Sequence, residues 1–262
     1  MFIFQITIGE GSTMKILGIH DGHNASACLL VEGRIEYAIQ EERLTNIKNF
    51  IGFPEKAIKT ILRLSSSNLE DLDIVAFASD YMGKPFPPRD IIEVYKREIP
   101  RGVSIKRLRK SVRQKIINFA IKHRRSSYEK ALLPLKEERC KPLRKIGTPR
   151  KIVFIDHHLS HAATAYYGCP WKDENVLVLT NDGSGDTLCS AVYIGEEGKL
   201  KRIAATPMDN SLGNIYARMT FYMGMVPWEH EYKIMGLAPY ASEKRVQECY
   251  EIFKKYSRRI IE

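Results

Sequence analysis

The sequence has few cysteines and none in a recognisable pattern. Its five cysteines are scattered along 262 residues, odd in number and outside any CxxC spacing. Small secreted domains held together by disulfides use an even set of cysteines at close spacing, so this class of protein is excluded. We therefore expect reduced, mostly buried thiols and a cytoplasmic protein.

Long apolar runs are also missing. No run approaches the roughly 18 residues that a transmembrane helix needs, so the sequence predicts no membrane span. The first residues, Met1–Thr7, carry no basic region and no small-residue cleavage site, in contrast to a signal peptide. We expect residues 1–13 to be an extension ahead of the first strand.

Acidic residues are scarce in one stretch. Between Arg101 and Lys151 there are 18 Lys and Arg against three Glu, a local net charge of +15, whereas the whole chain carries +10. The remainder is therefore at −5, and the basicity belongs to a local insertion at residues 83–149. The insertion is expected to form amphipathic helices over about Arg89–Glu98, Ser104–Arg124 and Tyr128–Leu135.

The insertion has few aromatic side chains among its basic residues. A basic helical hairpin can bind nucleic acid or an acidic partner, and it can equally be a solvated lid. We rank direct nucleic-acid binding below the lid. Because the strand pattern of the flanks resumes afterwards, we also expect residues 83–149 to be dispensable for folding.

A histidine motif lies at the centre of the sequence, between a strand and a helix. Lys151–Ile155 is rich in β-branched and aromatic residues and predicts a short buried strand, and the alanines after the motif predict a helix. His157 and His161 are four residues apart, so they share one helix face, while His158 is rotated about 100° away. Such a pair either binds a transition metal or caps the strand end and hydrogen-bonds in the core.

A carboxylate that would complete a metal site follows the next strand. Val176–Thr180 predicts another apolar strand, and Asp182 comes directly after it within Asn181-Asp-Gly-Ser-Gly-Asp186. Two imidazoles and one carboxylate would leave metal positions open to a substrate oxygen, as a reaction centre requires. The sequence thus indicates a metal site of His157, His161 and Asp182, with structural histidines as the alternative.

A unit of three strands and two turns occurs twice, about 160 residues apart. The turns are Asp21-Gly22 and Glu32-Gly33 in the first copy, and Asp182-Gly183 and Glu197-Gly198 in the second. The duplication predicts an α/β protein with two βββα lobes. Each Asp-Gly turn would direct backbone amides and a carboxylate toward phosphate groups and a metal. The expected ranges are 14–82 with 150–170 for the first lobe and 171–262 for the start of the second.

Further helices are predicted on both sides of these motifs. Pro54 opens an amphipathic helix that ends near Leu64. The segment Ser211–Met223 is apolar on most of its circumference, so we expect it to be buried. The last twenty residues predict a charged helix.

Five motifs follow one another in a fixed order. They are His23-Asn-Ala-Ser-Ala27, Glu41-Glu-Arg43, Asp156-His-His-Leu-Ser-His-Ala162, Asp182-Gly-Ser-Gly-Asp186 and Lys233-Ile-Met-Gly-Leu-Ala-Pro-Tyr240. Together they resemble the carbamoyltransferases of the nodulation and antibiotic-tailoring type, whose first domain is like the universal tRNA threonylcarbamoyl-transfer protein. The combination is specific, whereas a single motif is not.

This resemblance implies an actin-like, hexokinase-like (RNase H-like) fold of duplicated lobes with a metal between them. It also implies the reaction. Members of this family activate carbamoyl phosphate with ATP to a carbamoyl-adenylate, and then pass the carbamoyl group to an acceptor hydroxyl. The expected partners are therefore small-molecule substrates.

The resemblance implies roles for single residues as well. His157, His161 and Asp182 correspond to metal ligands, with iron expected first and zinc or manganese as alternatives. His23 corresponds to the residue beside the carbamoyl group, where an imidazole acts as general base near neutral pH. The expected phosphate- and nucleotide-binding set is Asp21, Gly22, Gly183, Ser184, Gly185, Glu231 and Lys233.

The chain departs from the family pattern after its second set of strands. The family's fourth metal ligand, a later Asp, has no candidate here, and neither has its carbamoyl-phosphate-processing domain. We expect an incomplete second lobe, because the chain is a fragment, one part of a split gene whose C-terminal half is encoded separately, or a decayed copy. Two alternatives remain open, a threonylcarbamoyl-type enzyme that docks tRNA on the basic helices and a nucleotide-binding scaffold without catalysis.

Overall fold

The computed structural model describes residues 13–81, 91–98, 125–171 and 174–261. The chain divides into two compact units, the first of residues 1–88 and 100–164 and the second of residues 89–99 and 165–262. Among the described residues, no helix combines the length and the apolar composition that crossing a membrane requires.

The described residues form the strands and helices of a mixed α/β protein. The strands are β1 Lys15–His20, β2 Ser26–Val31, β3 Arg34–Gln40, β4 Ile74–Phe77, β5 Ile152–Phe154, β6 Val176–Gly185, β7 Leu188–Glu196 and β8 Lys199–Pro207. The helices are α1 Glu42–Thr45, α2 Glu55–Leu64, α3 Ile91–Glu98, α4 Arg125–Arg144, α5 His157–Gly168, α6 Leu212–Tyr222, α7 Glu231–Leu237 and α8 Glu243–Ile261. The predicted mixed α/β class is confirmed.

The first unit is built on a mixed five-stranded sheet of order β3-β2-β1-β4-β5. Strands β1 to β3 form an antiparallel meander, whereas β4 and β5 run parallel to β1. The second turn of the meander has positive φ at both Glu32 and Gly33, as a tight hairpin turn requires. The carboxyl ends of β1, β4 and β5 therefore meet at one edge of the sheet, the usual place for ligands in such sheets.

Helix α2 covers this sheet as its amphipathic pattern predicts. It buries Ala57, Ile58, Ile61 and Leu62 in a core shared with the sheet strands. The carboxylate of Glu41 accepts hydrogen bonds from the backbone amides of Lys56 and Ala57, at 3.1 and 2.7 Å, and so satisfies donors in the first turn. The first Glu of the Glu-Glu-Arg motif thus has a capping role.

Helix α4 corrects the expectation that residues 83–149 are dispensable for folding. The helix continues through Pro134 and Pro142, which sequence reasoning treats as helix breakers. Its last turns bury Cys140 and Leu143 in the same core as the sheet of the first unit. Residues 125–144 are therefore part of the fold of this unit, whereas the predicted helix over 104–124 lies outside the described residues.

The second unit contains a three-stranded antiparallel sheet of order β6-β7-β8. Strand β6 is longer than predicted and includes Asp182-Gly183, because an irregularity in its pairing between Asn181 and Gly185 absorbs the extra residues. The hairpin turn lies at Asp186 and Thr187, both with positive φ, so the predicted Asp182-Gly183 turn is wrong. The Glu197-Gly198 turn is confirmed, with positive φ at both residues.

Helix α6 is less buried than its apolar sequence predicts. Only Ala217 and Thr220 are buried, whereas the side chains of Leu212 and Tyr222 are about 60% exposed. In the part of the chain that the structure describes, α6 packs mainly on β6 and on helices α3 and α7. The expectation of a buried helix is therefore wrong, and the charged helix predicted for the C-terminal residues is α8.

Candidate functional site

The histidine motif lies where the sequence predicts it, between β5 and α5. The Asp156 carboxylate accepts a hydrogen bond from the backbone amide of Leu159 at 2.9 Å, which caps the first turn of α5. Because Asp156 fixes the start of the helix, the side chains of the next turn project from a defined position. The Asp of this motif therefore has a structural role in the described residues.

His157 and His161 face each other across one turn of α5. Their Nε2 atoms are 3.1 Å apart, and their ring centroids are 4.7 Å apart at an angle of 71°. His157 is half-buried and His161 is exposed, whereas His158 is fully buried. The predicted pair of His157 and His161 on one face is confirmed, and its two nitrogens are close enough to share a proton or a cation.

The turn between β1 and β2 presents His23 to solvent. A bridge to Ile51, and a hydrogen bond from the amide of Gly52 to the carbonyl of Gly22, attach this turn to the loop before α2. The side-chain amide of Asn24 lies 3.2 Å from His23 Nδ1, and Asn24 has the left-handed φ of 57° that the turn requires. Several backbone contacts thus fix the position of His23.

His20 is a site residue that sequence reasoning missed. Its Nε2 lies 2.9 Å from the carbonyl oxygen of His23. Burial lowers the pKa of His20; the nearby charges of His23 and His157 add to this, while the hydrogen bond and Asp21 oppose it. A neutral His20 therefore donates its Nε2 hydrogen to the His23 carbonyl. The available signal was its place as the last residue of β1, directly before the Asp-Gly turn.

The carboxylate of Asp21 is engaged by Arg139 of α4. Arg139 Nε and Nη2 donate to the two carboxylate oxygens, each at 2.8 Å, and both side chains are about nine-tenths buried. A phosphate contact at this turn would therefore use the backbone of Asp21 and Gly22. Arg139 was also missed, because it lies in the segment predicted to be a separate insertion.

In the second unit, Asp182 and Gly183 lie against the start of α6. Ser211 caps this helix by accepting a hydrogen bond from the amide of Asn214 at 3.0 Å, and its hydroxyl donates to the carbonyl of Asp182 at 3.4 Å. A Cβ added at Gly213 would lie 3.1 Å from Gly183 Cα, so the two backbones approach closely here. The binding roles predicted for Gly183, Ser184 and Gly185 stay predictions.

Glu231 and Lys233 are both on α7. Glu231 accepts a hydrogen bond from the amide of Trp228 at 2.7 Å, whereas Lys233 is exposed with its ammonium 5.9 Å from the ring of Tyr232. Glu231 thus holds the loop that precedes its own helix. The predicted pocket roles of both residues stay predictions.

Comparison with known families gives one match that covers nearly the whole chain. The family described as Carbamoyltransferase N-terminus matches residues 15–261. This chain belongs to that family. The match includes residues 83–149, so the basic segment lies within the carbamoyltransferase N-terminus region.

Several relatives extend far beyond this region. Nodulation protein NolNO from Sinorhizobium fredii is 29% identical over 235 residues, covering 88% of this chain and 30% of NolNO. An uncharacterized protein from Synechocystis is 30% identical over 86% of this chain and 34% of its own length. An uncharacterized protein from Methanocaldococcus jannaschii is 31% identical over 87% of this chain and 34% of its own length. The chain spans about a third of the length of these three relatives.

Among solved structures, YeaZ from Pseudomonas aeruginosa is similar to this chain with a TM-score of 0.35. The identity is 14%, over 74% of this chain and 68% of that protein. The actin-like arrangement of duplicated lobes stays a prediction.

Proposed function

We propose that this chain is the N-terminal part of an ATP-dependent O-carbamoyltransferase with an actin-like fold. In its reaction, carbamoyl phosphate, ATP and water give a carbamoyl-adenylate, phosphate and pyrophosphate, and the carbamoyl group then passes to an acceptor hydroxyl with release of AMP. The family match over residues 15–261 carries this proposal, because it spans all five motifs in one chain. NolNO, a nodulation protein, lies among the relatives.

The donor set of His157, His161 and Asp182 suits a divalent metal, iron first and zinc or manganese next. The Nε2 atoms of His157 and His161 are 3.1 Å apart, so the two imidazoles would hold one ion together. Such an ion supplies Lewis-acid polarisation of a carbonyl or phosphoryl oxygen.

His23 is the proposed general base of the transfer step. As the acceptor oxygen bonds to the carbamoyl carbon, Nε2 of His23 takes the hydroxyl proton, and AMP leaves with the electron pair of the broken C–O bond. Nδ1 then carries the ring hydrogen and needs an acceptor. Rotation of the Asn24 amide, 3.2 Å away, brings its oxygen to Nδ1 and supplies that acceptor.

Gly183, Ser184 and Gly185 are the proposed phosphate-binding residues of the second unit, with Glu231 and Lys233 as further nucleotide contacts. The close approach of Gly213 to Gly183 supports this role, because it brings the amides at the start of α6 to the glycine-containing strand. Backbone amides at a helix start favour the negative charge of phosphate groups.

The test is turnover of ATP with carbamoyl phosphate, measured as release of pyrophosphate and phosphate. The chain is assayed alone and with the remaining part of NolNO, supplied as a second chain or as a fusion. We expect little turnover alone and ATP- and carbamoyl-phosphate-dependent turnover in the combination. The control is the same combination with His157→Ala/His161→Ala, which should be inactive. Absence of turnover in every combination would contradict the proposed function.

A further inference from the structure

Arg139 joins the ends of three strands at the carboxyl edge of the first sheet. Its Nη1 donates to the carbonyl oxygens of Ser79 at 2.9 Å and Asp80 at 3.3 Å, just after β4. Its Nε and Nη2 hold the Asp21 carboxylate, just after β1. Its guanidinium lies 5.0 Å from the ring centroid of Phe154, the last residue of β5. One side chain thus contacts the ends of all three parallel strands.

Helix α4 holds Arg139 firmly in this position. The neighbouring residue Cys140 and, one turn later, Leu143 are buried in the core of the unit. One turn earlier, Lys136 pairs with Asp80, which fixes the same stretch of helix over the strand ends. The aromatic ring of Phe77 lies 5.2 Å below the guanidinium, and cation–π attraction of this kind fixes its plane.

We propose that Arg139 is a positioning residue that fixes the turn carrying His23, and that α4 is thereby part of the catalytic machinery. The role given to His23 rests on the proposed function. The turn leaves β1 at Asp21, so a bidentate bond to Asp21 fixes both the position and the direction of the chain two residues before His23. Planar, two-point contacts of this kind are specific to arginine, and a lysine ammonium cannot reproduce them.

Removal of Arg139 has a defined consequence for the turn. The Asp21 carboxylate would be left buried without its counter-charge, a state that costs more free energy than solvating it. The turn would therefore move until Asp21 reaches water, and His23 would move with it. The hydrogen bond from His20 to the His23 carbonyl would be the first contact to change.

The experiment follows the histidine rings of the full chain by NMR. Cε1–H resonances are recorded for Arg139→Met, Arg139→Lys, Asp21→Asn/Arg139→Met and the control Arg144→Met, which changes an exposed arginine of the same helix. We expect the His20 and His23 resonances to shift in Arg139→Met, to shift less in Arg139→Lys, and to keep their wild-type positions in Arg144→Met. The His230 resonance, from the second unit, should not change in any variant.

The double variant keeps the proposal testable if Arg139→Met does not fold. Asn and Met leave no buried charge, so we expect this protein to fold but to show shifted His20 and His23 resonances. Wild-type resonances for both rings in a folded Arg139→Met or in the double variant would overturn the proposal. When this chain is combined with the remaining part of NolNO, Arg139→Met should lower kcat about 100-fold with little change in the KM for ATP. The NMR experiment does not depend on turnover. It therefore tests the position of the turn even if the proposed function fails in the activity assay.

Discussion

His157 and His161 bring two imidazoles together at an exposed position of α5. The imidazoles are close, with 3.1 Å between their Nε2 atoms, and His161 is exposed to solvent. The hydrogen bond between the two rings is exposed and is worth only about 0.5–1.5 kcal/mol. Binding of a transition metal by both nitrogens would contribute much more free energy, and a metal at this pair stays a prediction.

Metal analysis of the purified chain tests whether His157 and His161 bind a metal. We expect one divalent transition-metal ion per chain in the wild type and almost none in His157→Ala/His161→Ala, because a single carboxylate holds such an ion weakly. His230→Asn is the matched control, because the histidine of the second unit accepts a hydrogen bond from the amide of Val226 and is not on α5. Equal metal content in the wild type and the double variant would rule out this site.

His20 makes the first unit sensitive to acid. Its pKa is lowered in the folded state, chiefly by burial, so the unfolded chain binds the proton more readily. The stability due to neutral His20 is therefore complete above its unfolded pKa of about 6.5 and is lost as the pH falls through the lower folded-state pKa. We expect His20→Gln to lose less stability than the wild type between about pH 8 and pH 5 in denaturant unfolding. An equal loss of unfolding free energy in the two proteins over this pH range would contradict this prediction.

Local spacing decided which arrangement of side chains the sequence could predict. His157 and His161 are one helical turn apart, so a short-range pattern was sufficient to place them on one face of α5. The role of His23 rests on the family resemblance and stays a prediction. Arg139 is 118 residues from Asp21, and only the packing of α4 brings them together. The ion pair has no signature in either local sequence, because an Asp-Gly turn and a basic helix each have an ordinary solvated interpretation.

At the scale of elements, α4 differs from its interpretation as part of a separate insertion. Its positive charge and the break in the strand pattern indicated an insertion, but Cys140 and Leu143, both buried near its C-terminal end, make it part of the core. Asp182-Gly183 is a second case, in which the sequence predicted a turn and the structure has a strand. The dipeptide is typical of turns, yet in β6 an irregular pairing accommodates it and the turn forms at Asp186 and Thr187.

Two leucines of α4 provide a test of its place in the core. Leu143 is fully buried, whereas Leu133 on the same helix is 58% exposed. We expect Leu143→Ala to lower the free energy of unfolding by about 2–5 kcal/mol, because it leaves a cavity in the core. Leu133→Ala should change this free energy by less than about 0.5 kcal/mol. Equal small effects in urea unfolding would show that α4 is dispensable after all.

Strand β7 depends on a glycine in the second unit. A Cβ at Gly195 would overlap the ring of Tyr166, which is fully buried. We expect Gly195→Ala to destabilise the chain by about 1–3 kcal/mol through this overlap. Gly236→Ala is the control, because Gly236 lies in α7 with open space around its Cα, and alanine there should be neutral or stabilising by up to about 1 kcal/mol. Thermal unfolding of both variants gives the comparison.

At the scale of the whole molecule, composition and family membership divide the chain differently. The basic stretch carries +15 against −5 for the remainder, which suggests two modules. The carbamoyltransferase N-terminus match nevertheless runs through this stretch without a break from residue 15 to residue 261. The net charge of a segment describes its surface. Whether the segment packs in the core depends on a few apolar residues, which do not contribute to the charge.

Exposed apolar side chains make the isolated chain prone to self-association. Leu177 and Leu179 of β6 have nearly 70% of their surface exposed, and exposed apolar surface favours association. We expect size-exclusion chromatography to show association that increases with concentration, and Leu177→Ser/Leu179→Ser to reduce it. Leu133→Ser removes an exposed leucine of α4 and should have little effect. A monodisperse wild-type monomer at all concentrations would contradict this prediction.

The distance in sequence between Asp21 and Arg139 also determines the order in which the first unit can assemble. The meander of β1 to β3 closes through short turns, so it can form as soon as about forty residues are available. The edge that carries His23 must wait for α4 and β5, more than a hundred residues later in the chain. During synthesis, the turn of the proposed general base therefore stays without its arginine until most of the first unit has been made.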